Sequence, residues 1–330
     1  MDGLPVTRRR PTVLRTLCGV AAAVTVLGAA ASCSTGSSGD STGTASEPSA
    51  GAGPVTAEIS QFRDNYSKRI IEIQLTNTTS RALTVLGAEL TSPLFAGPVT
   101  WPGSAGGIEL PPGQAKSLPA PLPAPDCSSP AATNTAPGDA SGQAGPTFVS
   151  LRLVTPEGTA PPTSAAPVLA ADPFGVLARN NAEMCVALEA AKVATIRMAP
   201  ELEVSADGRT AVVRLLMTPR PKPRDGGGAA DAGATGLVID RIEETTLLAE
   251  SPVASWPRGV TLRPGAPPSE LRLGIRPARC DPHAVAEDKV GTLLPLQVRV
   301  AGRQGVLKID SGDKLRIRIY EFVTTACGRQ

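Results

Sequence analysis

Hydrophobic and polar residues alternate with a period of two in many short segments of the chain. Residues 71–75 read Ile-Glu-Ile-Gln-Leu, and residues 315–319 read Leu-Arg-Ile-Arg-Ile. This alternation is typical of β-strands with one buried and one solvated face. Gly and Pro, 33 of each, separate such segments and favour turns between them. The pattern therefore predicts many short strands and one longer helix, at residues 181–192.

The same succession of strands and rare residues occurs twice. The two tryptophans, Trp101 and Trp256, are each followed by proline, then by a Leu-x-Pro-Gly sequence, and then by a cysteine. The predicted strands match in the pairs 69–76 with 210–217, 83–90 with 237–248, 148–154 with 293–300, and 174–179 with 315–322. A match in order of such rare residues is unlikely by chance, so we interpret it as an internal duplication.

The duplication divides the chain into domains at residues 55–190 and 191–330, each of ordinary domain size. Each half contains about seven short strands spaced by turn residues, as in immunoglobulin-like sandwiches. Parallel strands would need helical crossovers, and the sequence shows no helical period long enough for one in either half. We predict an all-β fold of two tandem immunoglobulin-like β-sandwich domains.

The first residues have the composition of an export signal. Four arginines precede an apolar run over residues 17–31, which ends in Ala30-Ala31-Ser32-Cys33. A positive start, an apolar stretch and small residues before a cleavage point are typical of a secretory signal peptide. The final four residues resemble the lipobox of bacterial lipoproteins, although Ala30 stands where that family usually has leucine. The resemblance implies that residues 1–32 are removed and that Cys33 carries a lipid such as palmitate.

Residues 33–54 are rich in Ser, Thr, Gly and Ala and contain only two charged residues, Asp40 and Glu47. This composition predicts a disordered tether, because it offers too little apolar surface to fold.

Two alternatives to the lipobox interpretation are an ordinary signal cut elsewhere, with Cys33 a free thiol, and an uncleaved membrane helix. The apolar run is shorter than the roughly 20 residues that a spanning helix needs. The adjacent arginines also permit twin-arginine export.

The charge balance excludes one class of partner. Residues 1–32 contain four of the 32 basic and one of the 30 acidic residues, so the remainder has 28 and 29. A nearly neutral chain offers no basic field for nucleic acid.

The sequence also shows no P-loop, dinucleotide fingerprint or nucleophile elbow. We therefore predict no cofactor and no catalytic residues.

Four cysteines remain after Cys18, in the signal, and Cys33 are set aside. In an exported protein disulfides persist, and four cysteines allow three pairings. The duplication favours one bridge within each repeat, while free buried thiols are the alternative. A zinc site is disfavoured because no pair has the C-x-x-C spacing. The predicted bridges are Cys127–Cys185 and Cys280–Cys327.

His283 is the only histidine of the chain, so a site that needs imidazole must use it. Asp281 followed by proline predicts the start of a short helix, which would place His283 and Glu287 on one face. With Asp281 or Asp288 they would bind a cation; otherwise Asp281 only caps a helical turn and the acids are solvated. The stretch resembles lipoproteins of actinobacterial type, which implies no particular activity.

These features favour a non-catalytic lipid-anchored protein at the extracytoplasmic face of the cell membrane. Its two β-sandwich domains would bind or position an unidentified partner, an envelope protein or a cell-wall component. The alternative is a small-molecule or metal-binding lipoprotein with a site near His283. A hydrolase that uses carboxylates is a third hypothesis.

Overall fold

A computed structural model describes residues 53–104, 106–128, 145–154, 163–222 and 236–328. The predicted signal, Cys33 and the tether before residue 53 lie outside these residues. The elements of the first half are β1 Val55–Ser60, β2 Ile70–Asn77, β3 Leu83–Thr91, β4 Val99–Trp101, β5 Ile108–Leu110, β6 Ala115–Pro121, β7 Phe148–Val154, β8 Thr163–Ser164, β9 Val168–Ala171 and α1 Val176–Val193. Those of the second half are β10 Ala194–Val204, β11 Ala211–Pro219, β12 Leu237–Ile242, β13 Leu248–Glu250, β14 Val260–Leu262, β15 Ser269–Pro277, α2 Pro282–Ala286, β16 Leu293–Val300, β17 Arg303–Asp310 and α3 Gly312–Cys327.

Each half is a sandwich of two antiparallel layers. In the second half the strand orders are β10-β11-β15-β13 and β14-β12-β16-β17. In the first half β1-β2-β6 faces β3-β7-β9, with β4 and β5 beside β3. β9 also pairs in parallel with β1, where Ala57 lies opposite Ala170, and so joins the layers into one nine-stranded sheet. These orders are those of an immunoglobulin-like sandwich, as the sequence predicts.

The two halves repeat the same strand pairings. β3 pairs with β5 and β7, and β12 pairs with β14 and β16. Both central strands carry an irregularity at the same place, between Val85 and Gly87 and between Ile239 and Arg241. The strand predicted at residues 237–248 is two strands, β12 and β13, which belong to different sheets.

Alternation places the apolar side chains of the strands inside each sandwich. In β2 the residues Ile71, Ile73 and Leu75 are fully buried. Each such side chain contributes about 1.5–3 kcal/mol relative to an exposed one. The two cores are separate clusters of buried residues, but α1 belongs to both. Its first part, with Val176 and Met184, packs in the first core, while Val186, Ala190 and Val193 pack in the second.

Two of the predicted strands are helices. Of residues 174–179, the last four form the start of α1. There the Asp172 carboxylate accepts hydrogen bonds from the N–H groups of Val176 at 2.7 Å and Leu177 at 2.9 Å. Residues 315–322 lie in α3. The prediction of strands there was wrong, and so was the absence of long helical segments, because α1 has 18 residues and α3 has 16. The helix predicted at residues 181–192 is confirmed within α1.

The tryptophans are not structurally equivalent, so that part of the repeat argument is wrong. Trp101 is the last residue of β4 and is half-buried. Trp256 follows a 3-10 turn at Pro252–Ala254 and is buried, and its indole N–H donates to the carbonyl of Gly274 at 2.7 Å. Their match in sequence therefore reflects the order of the residues and not their role in packing. Within the described ranges, no helix is both long and apolar enough to cross a membrane.

Glu72 is a polar residue of β2 that the fold buries. It is 2% exposed and accepts a hydrogen bond from the Asn65 side chain at 3.1 Å. Burial raises the pKa of its carboxyl, and the charge of Asp64 adds to that effect, while the Asn65 bond lowers it. Because the pKa is higher in the folded state, ionisation of Glu72 opposes folding. The stability it contributes is present at low pH and is lost as the pH rises through the folded-state pKa.

We expect Glu72→Gln to stabilise the protein at pH 7 by a few tenths to about 1 kcal/mol, because an amide keeps the Asn65 bond without a buried charge. In the wild type, protonation of Glu72 should raise the melting temperature as the pH falls from 7 to 4. The variant should lack this contribution. Thermal unfolding across that range is the measurement. Glu109→Gln, on the exposed side of β5, is the matched control, and an equal effect there would contradict the assignment.

Candidate functional site

The region of His283 forms the predicted short helix but not a metal site. Asp281 caps α2, since its carboxylate accepts a hydrogen bond from the backbone N–H of His283 at 3.0 Å. Asp281, His283 and Glu287 are all exposed. Across the residues that the structure describes, no three His, Cys, Asp or Glu side chains are placed to hold a metal ion. The cation site predicted as an alternative is therefore not assembled.

The neighbouring Asp288 has a structural role. Its carboxylate accepts hydrogen bonds from the backbone N–H of Gly291 at 2.8 Å, the Thr246 hydroxyl at 2.5 Å and the Tyr320 hydroxyl at 2.9 Å. Burial, with the carboxylate of Asp288, raises the pKa of Tyr320 to about 12. Asp288 thus joins the loop before β16 to α3, and its oxygens are already occupied by protein donors.

Both disulfides have the pairing that the sequence predicts. Cys127 is bonded to Cys185 and Cys280 to Cys327, with Cα–Cα distances of 5.6 and 5.2 Å. Each bridge ties the segment after the last strand of one layer, β6 or β15, to the helix that ends its half. Cys185 lies in the helix that the sequence predicts at residues 181–192. Residues 315–322 before Cys327 were predicted as a strand and are helical.

The two halves meet along α1 and β17. Glu183 of α1 forms an ion pair with Lys308 of β17 at 2.6 Å. The Lys308 ammonium lies 5.3 Å from the ring centre of Tyr66, and the Arg179 guanidinium lies 5.4 Å from it. Arg303 also donates to the backbone carbonyl of Cys127. These contacts, with the shared helix, hold the first sandwich against the second.

A groove of about 510 Å³ lies on the first sandwich, across β3, β4 and β7. Its charged side chains are Glu89 and Arg152, its hydroxyls are those of Thr100 and Ser150, and Trp101 forms part of its apolar wall. The volume lies in the range of ligand sites, and the mixture of apolar walls with a few polar groups is typical of them.

Gly87 leaves room for the side chain of Arg152. These residues are opposite each other in the register of β3 and β7, and the Arg152 guanidinium donates to the carbonyl of Leu86 at 3.3 Å. A Cβ atom at Gly87 would lie 3.1 Å from two guanidinium nitrogens, so a larger residue would displace the arginine. Among the described residues, neither Glu89 nor Arg152 forms an ion pair, although both lie on this face.

The equivalent face of the second sandwich is occupied by its own charges. There Arg241 lies opposite Gln297, in the positions of Gly87 and Arg152. The carboxylate of Glu243 accepts from Arg241 at 2.8 Å and from Gln297 at 3.1 Å, and Arg299 pairs with Asp240 at 2.7 Å. The arginine and glutamate of the second face satisfy each other, while those of the first face stay available to a ligand.

Glu89 and Arg152 were not predicted as site residues from the sequence, and Trp101 was interpreted only as a marker of the repeat. One signal was present, because a glycine inside a strand pattern often marks the close approach of another group. Gly87 interrupts residues 83–90 in this way. The partner that approaches it comes from a strand more than 60 residues away, which no local pattern identifies.

Comparison with known proteins gives no family. No protein-family model matches the sequence, and no curated protein matches it. Among solved structures, the exo-chitosanase CsxA of Amycolatopsis orientalis is 13% identical over 78% of this chain, with a TM-score of 0.18. Red sea bream transglutaminase is 9% identical over 78% of this chain, with a TM-score of 0.20. The chain spans 26% and 31% of these two structures, and at such scores the likeness does not extend to activity.

Proposed function

We propose that this chain is a lipid-anchored, non-catalytic binding protein of the extracytoplasmic face of the cell membrane. Its partner would be an envelope protein or a cell-wall component, and its binding site the groove around Arg152. The observation that carries the proposal is the difference between the two equivalent faces. Within the part of the chain that the structure describes, Glu89 and Arg152 form no ion pair on the first face, beside Trp101. The second face neutralises its own charges.

Two further features support the location. The sequence ending in Cys33 resembles a lipobox, and that resemblance implies a membrane attachment through lipid. The chain also carries two disulfides, which are typical of compartments outside the cytoplasm. A surface-held binding protein needs an anchor, a spacer and a folded body that presents a site, and this chain offers a candidate for each.

The proposal is tested by photocrosslinking in intact cells of the source organism. A benzophenone amino acid replaces Ser150 in the groove, or Gln297 on the equivalent face of the second sandwich. We expect a discrete crosslinked product from position 150 and none from position 297. Arg152→Ala should remove most of that product, because a charged hydrogen bond to a partner contributes about 1.5–3 kcal/mol.

Arg241→Ala is the matched control, since Arg241 occupies the corresponding face but pairs with Glu243. It should leave the crosslink at position 150 unchanged. Equal products from both positions, or a product from position 150 that persists in Arg152→Ala, would refute the assignment of the groove.

A further inference from the structure

The first sandwich exposes large apolar side chains along one edge. They are the side chains of β9 and of the segments beside it, and we call them the β9 apolar edge: Phe62, Phe148, Leu169 and Phe174. Phe148 lies directly opposite Leu169 in the register of β7 and β9. Three of the five phenylalanines of the chain belong to this edge. Clustered exposure of this kind marks an interaction surface.

The other two members of the edge follow the ends of neighbouring strands. Phe174, 69% exposed, comes three residues after β9, and Phe62 comes two residues after β1. β1 and β9 are parallel partners, so both residues leave the sheet at the same end. Leu188 on α1 is exposed as well, away from β9. Among the described residues of the second half, the exposed large apolar side chains lie on three separate elements: Val204 on β10, Val253 in the 3-10 turn and Ile317 on α3.

The chain enters the first sandwich beside this edge. Gly53 lies next to β9, where an added Cβ would be 3.9 Å from a methyl group of Val168, and Val168 directly precedes Leu169. Of the neighbouring acids, Asp172 is engaged in hydrogen bonds to the start of α1, whereas Asp64, two residues after Phe62, is exposed. The N-terminal attachment point lies beside Leu169, and Phe62 follows the other end of β1.

The sequence between Cys33 and β1 sets how far this edge can be from a lipid on Cys33. The 21 residues 34–54 join Cys33 to β1, and chain geometry limits their reach to about 70 Å. A lipid at Cys33 would thus keep the β9 apolar edge within that distance of the bilayer, at a high local concentration.

We propose that the β9 apolar edge contacts the lipid surface and orients the first sandwich on the membrane. This inference rests on the lipid anchor of the proposed function. Apolar side chains that enter the boundary between headgroups and acyl chains add to the hold of an acyl anchor. Ser150 follows Phe148 on the same face of β7, about 7 Å along the strand. The groove would therefore open close to the membrane surface.

The test uses residues 34–330 with an N-terminal hexahistidine tag, bound to vesicles of phosphatidylcholine and phosphatidylglycerol that contain a nickel-chelating lipid. Leu169→Cys carries the environment-sensitive NBD fluorophore. The control is Val253→Cys with the same label, since the exposures of the two side chains are nearly equal, 63% and 62%. We expect the emission at position 169 to shift to shorter wavelength and to be quenched by nitroxide on the lipid chains, and position 253 to show neither change.

The outcomes separate this inference from the anchor, because nickel attachment does not depend on acylation of Cys33. Identical spectra at positions 169 and 253 would overturn the lipid contact even where cells acylate Cys33. A shift at position 169 that occurs without vesicles and grows with protein concentration would mean that a second copy covers the edge, and would also overturn it. A vesicle-dependent shift in a protein that cells do not acylate would support the lipid contact while refuting the anchor.

Discussion

Replacement of Cys185 by serine should lower the free energy of unfolding by about 4 kcal/mol, because a bridge over 58 residues removes that much loop entropy from the unfolded chain. The substitution also leaves a hydroxyl in a fully buried position of α1. Next to it, the Asn181 amide donates to the carbonyls of Leu94 at 2.5 Å and Asp126 at 3.1 Å. Loss of the bridge would loosen the segment that these bonds hold.

Cys327→Ser is the comparison. Its bridge spans 47 residues, so the entropic contribution is nearly the same, but Cys327 is only half-buried and ends α3. We therefore expect Cys185→Ser to have the larger effect on the melting temperature. Cys185→Ala separates the loss of the bridge from the burial of a hydroxyl.

Calorimetry should be carried out on the whole folded unit, because α1 packs into both cores and a cut at residue 190 would divide it. A melting temperature that falls more in Cys327→Ser than in Cys185→Ser would contradict this account of the two bridges. Equal losses in the serine and alanine variants of Cys185 would assign the whole effect to the cross-link.

The strands were predictable where one period described a whole segment. In β2 the apolar residues occupy every second place, and the structure buries Ile71, Ile73 and Leu75. The disulfide partners were also predictable, because the order of rare residues repeats even where local structure does not. In both cases the signal lies in the sequence itself and needs no knowledge of distant contacts.

Residues 315–319 show why the helices were missed. Leucine and isoleucine alternate with arginine there, but the fold buries Leu315, Ile319, Phe322 and Val323 and leaves Ile317 59% exposed. These buried positions follow spacings of four, three and one, which are those of a helix face. The five residues 315–319 alone fit both the period of a strand and the period of a helix. Only the buried residues that follow, up to Val323, distinguish the helix from the strand.

The groove could not be predicted, because it depends on pairing between distant strands. Arg152 reaches the carbonyl of Leu86 across the register of β3 and β7, and a Cβ at position 87 would lie 3.1 Å from two of its nitrogens. The second sandwich repeats the pairings of the central strand but places its arginine on that strand, at Arg241. A duplicated pattern thus predicts a shared fold and does not predict which copy keeps an open face.

Cys33→Ala should abolish metabolic labelling of the protein by an alkyne analogue of palmitate. In a lipobox-type signal the acylated thiol belongs to the residue that becomes the new N-terminus, and no other cysteine of this chain is a candidate. Cleavage before Cys33 would remove Cys18, and the four cysteines of the folded unit are in disulfides. The variant should also move from the membrane to the soluble fraction, because the β9 apolar edge alone is a weaker hold than acyl chains.

Ala30→Leu is the matched control for this loss of label. It places leucine three residues before the cysteine, where lipoproteins of this type usually have it, so labelling should be retained. If the chain instead carries an ordinary secretory signal, Ala30→Leu and Cys33→Ala would both yield a soluble, unlabelled protein. Labelling that survives in Cys33→Ala would place the lipid elsewhere and remove the basis for a tether that begins at residue 33. The loss of label in Cys33→Ala, with its retention in Ala30→Leu, is therefore the result that the anchor requires.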